Sequence, residues 1–291
     1  MPPIGRHLAR QTAAVGALLR WRPADTWFDR PIADDAVTPI AHRLVLMRHG
    51  RTDATDNGVF VGWLDPPLNK AGMAQSVAAA SILREHQILP DSAHCSELAR
   101  AVRTCEVVLA ALGRPEVPVR SSWDLNERHY GALQGMSKSD VYRRFGPELY
   151  QSWRRSYTAV PPELEQMEHA APTALQFAGS PAVTPQAESL QMVRSRVSNY
   201  WDQHIEPDLR MGHTVLVVAH SNSLRALVMH LEDLTPDEIE SVNVPVAMPL
   251  VYEFDSTTWH RSKGIYLDPA QAAVAAQEMS LEGLPSNVRS S

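Results

Sequence analysis

Two short, unbroken apolar runs constrain this chain more than any other feature. Leu44-Val45-Leu46-Met47 leads directly into Arg48-His49-Gly50, and Val215-Leu216-Val217-Val218-Ala219 leads directly into His220-Ser221-Asn222. Runs of this length without polar alternation suit strands buried on both faces, as in a parallel sheet covered by helices. In open α/β sheets, ligands bind beyond the carboxyl ends of the strands. Two such strands, each ending in a histidine, predict an α/β fold with imidazoles at that end of the sheet.

Helical patterns alternate with these runs. Ser96 reads as an N-cap, followed by an apolar stripe at Leu98, Val102, Cys105, Leu109 and Leu112, with Gly113 at the C′ position. Thr235-Pro236-Asp237-Glu238 combines a capping box with Pro at N1. The spacing predicts a helix over 223–232 and a strand pair at 250–254 and 265–267. Residues 160–187, rich in Pro and Ala, read as an irregular excursion or lid, and the Ala-rich stretch 270–279 as a short helix at best.

The 291 residues suit one large domain or two ordinary ones. A net charge of −6 gives no ground for expecting a nucleic-acid or membrane partner. No apolar run approaches the roughly 18 residues that span a bilayer. Two cysteines, Cys95 and Cys105, form no CxxC pair; this argues against a disulfide framework or a Cys-based zinc site and suits a reducing, cytoplasmic compartment. Residues 1–43 differ from the rest: Arg6, Arg10, Arg20 and Arg22 precede the first acid, Asp25, and flank an apolar stretch broken by Gly16. This stretch reads as a flexible extension, with organelle targeting as the weaker alternative. The expected organisation is an extension over 1–43 and a catalytic domain over 44–291, with a tail at about 270–291.

A lone histidine at a strand end is more often structural than catalytic. Here Gly50 permits close approach to a ligand, Arg48 can clamp a phosphate, and His220 supplies a second imidazole in a similar context. A neutral imidazole can attack phosphorus, and a neighbouring Arg lowers its pKa. Arg100 falls in the first turn of its helix, where free N–H groups favour anions, although surface arginines are common there. The adjacent Arg154-Arg155 pair reads either as a solvated helix edge or as a clamp for a carboxylate or phosphate.

The string LVLMRHGRTDATDNGVFVGWLDPPLNKAG, followed in order by LNERHYGALQG, WRRSY, PPEL, AESL, AHSNSLRALV and NVPVAMPLVYEFD, resembles the 2,3-bisphosphoglycerate-dependent phosphoglycerate mutases of the histidine phosphatase superfamily. The resemblance runs from Leu44 into the tail. It implies a three-layer α/β/α sandwich with a mainly parallel central sheet. The implied activity is glycolytic and gluconeogenic interconversion of 2-phosphoglycerate and 3-phosphoglycerate, with 2,3-bisphosphoglycerate as primer, no metal, and a homodimer or homotetramer. It implies His49 as the phosphorylated nucleophile, Glu127 as acid and base, and His220 as transition-state stabiliser. The implied substrate-binding set is Arg48, Arg51, Thr52, Thr55, Val61, Gly62, Arg100, Arg128, His129, Tyr130, Lys138, Arg154, Arg155, Ser221 and Asn222.

Several positions depart from the family pattern. Thr55 stands where Asn is usual, Val61 where Thr is usual, Ser221 where Gly is usual and Val246-Ala247 where a Thr-Gly pair is usual, while Arg51 replaces an acid. Two alternatives remain at this level: a phosphatase of the same superfamily, with water taking the phosphoryl group, and a non-catalytic phospho-ligand binder.

Overall fold

A computed structural model describes residues 42–164 and 185–284. The extension expected over 1–43 lies outside the described residues except for its last two positions, as do most of the excursion expected over 160–187 and the end of the tail. The strands are β1 His42–Arg48, β2 Ser92–Ser96, β3 Val119–Ser122, β4 Val215–Ala219, β5 Leu250–Phe254 and β6 Ile265–Tyr266. They form one sheet in the order β3-β2-β4-β1-β5-β6. The first four strands in that order run parallel; β5 and β6 add an antiparallel edge. β1 starts two residues before its apolar run because His42 and Arg43 pair with Phe254 and Glu253.

The helices are α1 Asp53–Asp56, α2 Lys70–Glu85, α3 Ala99–Leu112, α4 Lys138–Arg155, α5 Leu190–Tyr200, α6 Glu206–Arg210, α7 Ser221–Glu232, α8 Glu238–Ser241 and α9 Pro269–Ser280. Strand side chains alternate between the two faces of the sheet. Val45, Met47, Leu216 and Val218 belong to one core with Ala79 and Leu83 of α2 and Cys105 and Val108 of α3. Leu44, Leu46, Val215 and Val217 belong to another with Val193 and Val197 of α5 and Leu224 and Val228 of α7. The result is a three-layer α/β/α sandwich. Each fully buried aliphatic side chain contributes roughly 1.5–3 kcal/mol, so both cores hold the strand register firmly. A third cluster of Phe60, Leu133, Val141, Tyr150, Trp153 and Leu284 joins α4 to the segment after α9.

The parallel register of β1 and β4 pairs Arg48 with Ala219, and the His49 N–H donates to the Ala219 carbonyl at 3.0 Å. The two strand-end histidines are thereby neighbours at the carboxyl end of the sheet.

Ser96 corrects one sequence expectation. It is the last residue of β2, paired with Ser122 of β3, and α3 begins only at Ala99 with Leu98 at its N-cap. Strand pairing holds Ser96 too early to cap the helix; its hydroxyl instead accepts from the Leu98 N–H at 3.1 Å, closing a local turn. Gly113 does close α3, and the Thr235–Glu238 capping box forms, ahead of a helix only one turn long. α7 starts at Ser221, two residues earlier than expected, and β6 stops at Tyr266.

Ala247 is held at φ 51°, in the left-handed region, where its N–H donates to the Arg48 carbonyl at 2.9 Å. A Cβ in that region costs about 1–2 kcal/mol, partly offset by the lower unfolded-state entropy of Ala relative to Gly. Ala247→Gly is expected to raise the melting temperature by about 1–4 °C. An unchanged or lowered melting temperature in a thermal scan would show that this turn carries no strain.

Candidate active site

His49 sits directly after β1 and is almost fully buried. Its Nδ1 lies 2.7 Å from the Gly50 carbonyl oxygen. A carbonyl only accepts, so Nδ1 carries the proton and Nε2 carries the lone pair. Arg100 donates from Nε to that Nε2 at 3.3 Å. The other two guanidinium nitrogens of Arg100 are tied to the Leu64 and Gly62 carbonyls, both at 2.8 Å. Gly62 has φ 54°, and a Cβ there would fall 2.0 Å from Oε1 of Gln134, so this carbonyl anchor requires glycine. Burial, then Arg100 and Arg48, hold the His49 imidazole well below its ordinary pKa against the opposing Gly50 bond. It is neutral at pH 7.

His220 lies beside it, with ring centroids 4.9 Å apart. Burial, then Arg100, lower its pKa as well. Its Nε2 is 2.7 Å from Ser96 Oγ, and Ser96 donates to Asn126 Oδ1 at 2.7 Å. Asn126 Oδ1 also receives the Glu97 N–H, which identifies it as the acceptor. With its one proton committed to Asn126, Ser96 must accept from His220, so Nε2 of His220 carries a proton. The misread Ser96 thus belongs to the site.

Glu127 follows the 3₁₀ turn Trp123–Leu125. Its Oε1 accepts from the Arg128 N–H at 2.7 Å, the Asn222 N–H at 3.2 Å and Asn222 Nδ2 at 2.9 Å. That oxygen is saturated, which leaves Oε2 to exchange a proton. Asn222 Nδ2 also donates to the Tyr130 hydroxyl at 3.0 Å.

His49, Glu127, Arg48, Thr55, Val61, Gly62, Arg100, Tyr130, Lys138, Arg154, Arg155, Ser221 and Asn222 all line one cavity. Arg48 donates to the Val244 carbonyl and contacts the Met279 sulfur at 3.3 Å; its Nε is buried without a partner among the described residues. Arg155 donates to Asn243 Oδ1 at 2.7 Å, and burial, then Arg154 and Arg225, push its pKa down to about 9. Positive charge is in surplus here, so the cavity favours polyanions.

The remaining expected residues stand off the cavity wall. Arg51 faces Asp56 at 3.6 Å on the exposed rim. Thr52 is fully buried and caps α1 in a reciprocal box with Thr55, whose hydroxyl donates to the Thr52 carbonyl at 2.8 Å. That bond uses the only proton Thr55 Oγ1 has. Arg128 is buried beneath Tyr130, 4.5 Å from its ring centroid, and donates to the Trp153 carbonyl at 2.5 Å. His129 accepts from the Gly131 N–H at 3.1 Å and packs edge-on to Trp63. Thr52, Arg128 and His129 support the wall from behind, whereas Arg51 stays on the rim.

Five lining residues escaped the sequence reading: the apolar Val59 and Phe60, and Arg225, Met279 and Glu282. Arg225 donates to Asn222 Oδ1 at 2.9 Å and to the Arg155 and Ile239 carbonyls at 3.2 and 2.7 Å. It ties the end of α4 to α8 and orients the amide that holds Glu127. Its place three residues after Asn222, on one face of α7, was a usable signal. Met279 and Glu282 come from the tail, where a composition rich in alanine hid them. Glu282 forms ion pairs with Lys138 and Arg154. Among the described residues, no group of three His, Cys, Asp or Glu side chains could hold a metal, and no helix is long and apolar enough to cross a membrane.

The model of the histidine phosphatase superfamily (branch 1) matches residues 44–178 and 168–263. A 2,3-bisphosphoglycerate-dependent phosphoglycerate mutase of Nocardioides sp. is 43% identical over 249 residues, 84% of this chain and 100% of the relative. One from Bifidobacterium longum is 42% identical over 246 residues, 84% of this chain and 99% of the relative. This chain belongs to the histidine phosphatase superfamily, and within it to the family of these mutases. The solved structure of a mycobacterial glucosyl-3-phosphoglycerate phosphatase with VO3 is similar at 26% identity and a TM-score of 0.58, covering 77% of this chain and 98% of that one.

The neutral histidines generate a stability prediction. An unfolded histidine titrates near 6.5, whereas burial first of all lowers His94 and His129 to about 4 in the fold. Below pH 6.5 the unfolded chain binds more protons, so stability is complete above that pH and is lost as the pH falls towards 4. The expected loss approaches about 1.4 kcal/mol per pH unit for each such histidine. Melting temperatures that stay constant from pH 7 to pH 5 would contradict it.

Proposed function

We propose that this protein interconverts 2-phosphoglycerate and 3-phosphoglycerate in the cytoplasm through a phosphohistidine on His49. The observation that carries this reading is the His49 geometry. A neutral imidazole with Nδ1–H locked on Gly50 presents Nε2 to a cavity that also holds a free carboxylate oxygen and a surplus of cations. Its mutase relatives align with this chain over nearly their whole length at above 40% identity, which supports the reading.

In the proposed reaction, His49 Nε2 attacks phosphorus and the bond from phosphorus to the substrate oxygen breaks. The electron pair stays on that oxygen, which takes a proton from Glu127 Oε2. In the opposite half-reaction Glu127 removes a proton from the hydroxyl that receives the phosphoryl group. Arg48 and Arg100 neutralise the equatorial oxygens, and His220, whose Nε2–H is given to Ser96, would stabilise the transition state once its Nδ1, without a partner among the described residues, takes up a proton. Lys138, Arg154 and Arg155 hold the remaining anionic groups. Two cationic ends in one cavity suit a bisphosphorylated three-carbon acid, and 2,3-bisphosphoglycerate would supply the phosphoryl group that first charges His49.

His49→Ala should abolish acid-labile phosphate on the protein, and Glu127→Gln should lower mutase turnover by about 10²–10⁴ while retaining ligand affinity. Equal labelling of wild type and His49→Ala would remove the nucleophile assignment. Turnover of Glu127→Gln within a few-fold of wild type would move the proton transfer elsewhere.

Thr55 and Val61 offer a ligand no side-chain N–H or free O–H, and each missing hydrogen bond costs about 0.5–1.5 kcal/mol. Thr55→Asn with Val61→Thr should therefore lower the bisphosphoglycerate requirement by about tenfold and reduce phosphate release. If wild type releases phosphate faster than it makes 2-phosphoglycerate, the reaction is that of a phosphatase.

A further inference from the structure

We propose that Glu282 is a built-in competitor against ligands that carry a second anionic group, because it occupies the cations such a group needs and yields them only to an anion that displaces it. The proposal takes from the mutase reading only the expectation that a phosphoryl group binds at His49.

Glu282 lies just beyond α9 and projects its carboxylate into the cavity. One oxygen, Oε2, receives Lys138 Nζ and, at 3.4 Å, a terminal nitrogen of Arg154. Burial alone would raise its pKa, but Lys138, then Arg154 and Arg48, outweigh burial and hold it at about 2. The carboxylate is therefore ionised at every pH at which the protein works.

The backbone around it is fastened independently of that charge. The Glu282 carbonyl accepts from the Tyr150 hydroxyl at 2.5 Å and from Arg154 at 3.2 Å, while the Met279 carbonyl accepts from Arg154 at 3.1 Å. Leu284 is buried in the cluster with Phe60 and Tyr150. The tail can stay docked while the carboxylate swings away.

Arg48 and Arg100, at the His49 end, make no hydrogen bond with Glu282. A ligand bearing a phosphoryl group alone can use them and leave the Glu282 pairs closed. A ligand with a phosphoryl group and a second anion reaches Lys138 and Arg154 only by displacing Glu282. The displaced carboxylate returns to water, and the incoming anion takes over its charge-assisted bonds. The cost therefore falls on two-anion ligands, while the empty site holds no unpaired buried ammonium.

The test compares the binding of two phosphonates, which cannot be transferred to His49, to wild type and Glu282→Gln by calorimetry. 3-Phosphonopropionate carries a second anion; methylphosphonate does not. Glu282→Gln should tighten 3-phosphonopropionate by about tenfold or more and methylphosphonate by about threefold or less. Equal gains for both probes, or weaker binding of 3-phosphonopropionate, would overturn the proposal. The first result would make Glu282 a general electrostatic brake, the second a fastener for the cations. Melting temperatures within about 2 °C confirm that the variant folds. Mutase turnover is measured separately: a selective gain without phosphoglycerate conversion would discard the mutase reading and leave this one standing.

Discussion

Buried positive charge is the constraint on which the site depends. Arg48, Arg100, Arg128, Arg154 and Arg225 are all buried, and burying a cation without partners is costly. The protein meets that cost mainly with backbone carbonyls. Gly62 and Leu64 receive Arg100, Trp153 receives Arg128, and Arg155 and Ile239 receive Arg225. The carbonyls of residues 153–155 end α4, where free acceptors and the helix dipole both favour cations. A carbonyl stabilises a guanidinium without cancelling its charge. The cations are therefore fixed in place and still hold their field for a ligand, with Glu127 and Glu282 as the two acids lining the cavity.

The sheet supplies the precision that this arrangement needs. One parallel pairing, Arg48 beside Ala219, sets the spacing of the two histidine rings. A slip of one residue would turn the whole of β1 over and exchange its two core faces. The packing of Leu44 and Leu46 on one side, and of Val45 and Met47 on the other, thus reaches the chemistry directly. The hydrogen bonds of Gly50 and of the Ser96–Asn126 pair then select the tautomers. Backbone and core define where the imidazoles stand; local polar contacts define which nitrogen is free.

The strand-to-histidine junctions were legible because a continuous apolar run has few alternatives and its end has a chemical meaning. Neighbouring strands also place residues far apart in sequence together, so two similar junctions were enough to locate the site. Ser96 was misread because a serine ahead of an apolar stripe has the same local signature whether it caps a helix or ends a strand. Only the pairing with β3, a tertiary fact, decides. Glu282 was illegible for a related reason: its partners, Lys138 and Arg154, lie more than 100 residues away, and nothing nearby in the tail hints at them. Arg51, Thr52, Arg128 and His129 carried the family pattern but not the detail of which side chains reach the cavity and which support its wall.

The departures from the family pattern, except Arg51 on the exposed rim, fall on one side of this division. Thr55 turns its hydroxyl into the cap of α1, Val61 supplies no polar group, and Ala247 accepts a left-handed backbone to keep its bond to the Arg48 carbonyl. Each concerns a neutral hydrogen bond or a backbone shape; none removes a lining cation. A neutral bond is worth about 1 kcal/mol and a charge-assisted one roughly twice that. A cavity that keeps its cations and loses neutral donors therefore relies on charge for affinity. Charge alone distinguishes poorly between one anion and another. Under that condition the resident carboxylate of Glu282 gains importance, because a second anion reaches Lys138 and Arg154 only by outcompeting it, which weakens two-anion ligands relative to those bound at the His49 end alone.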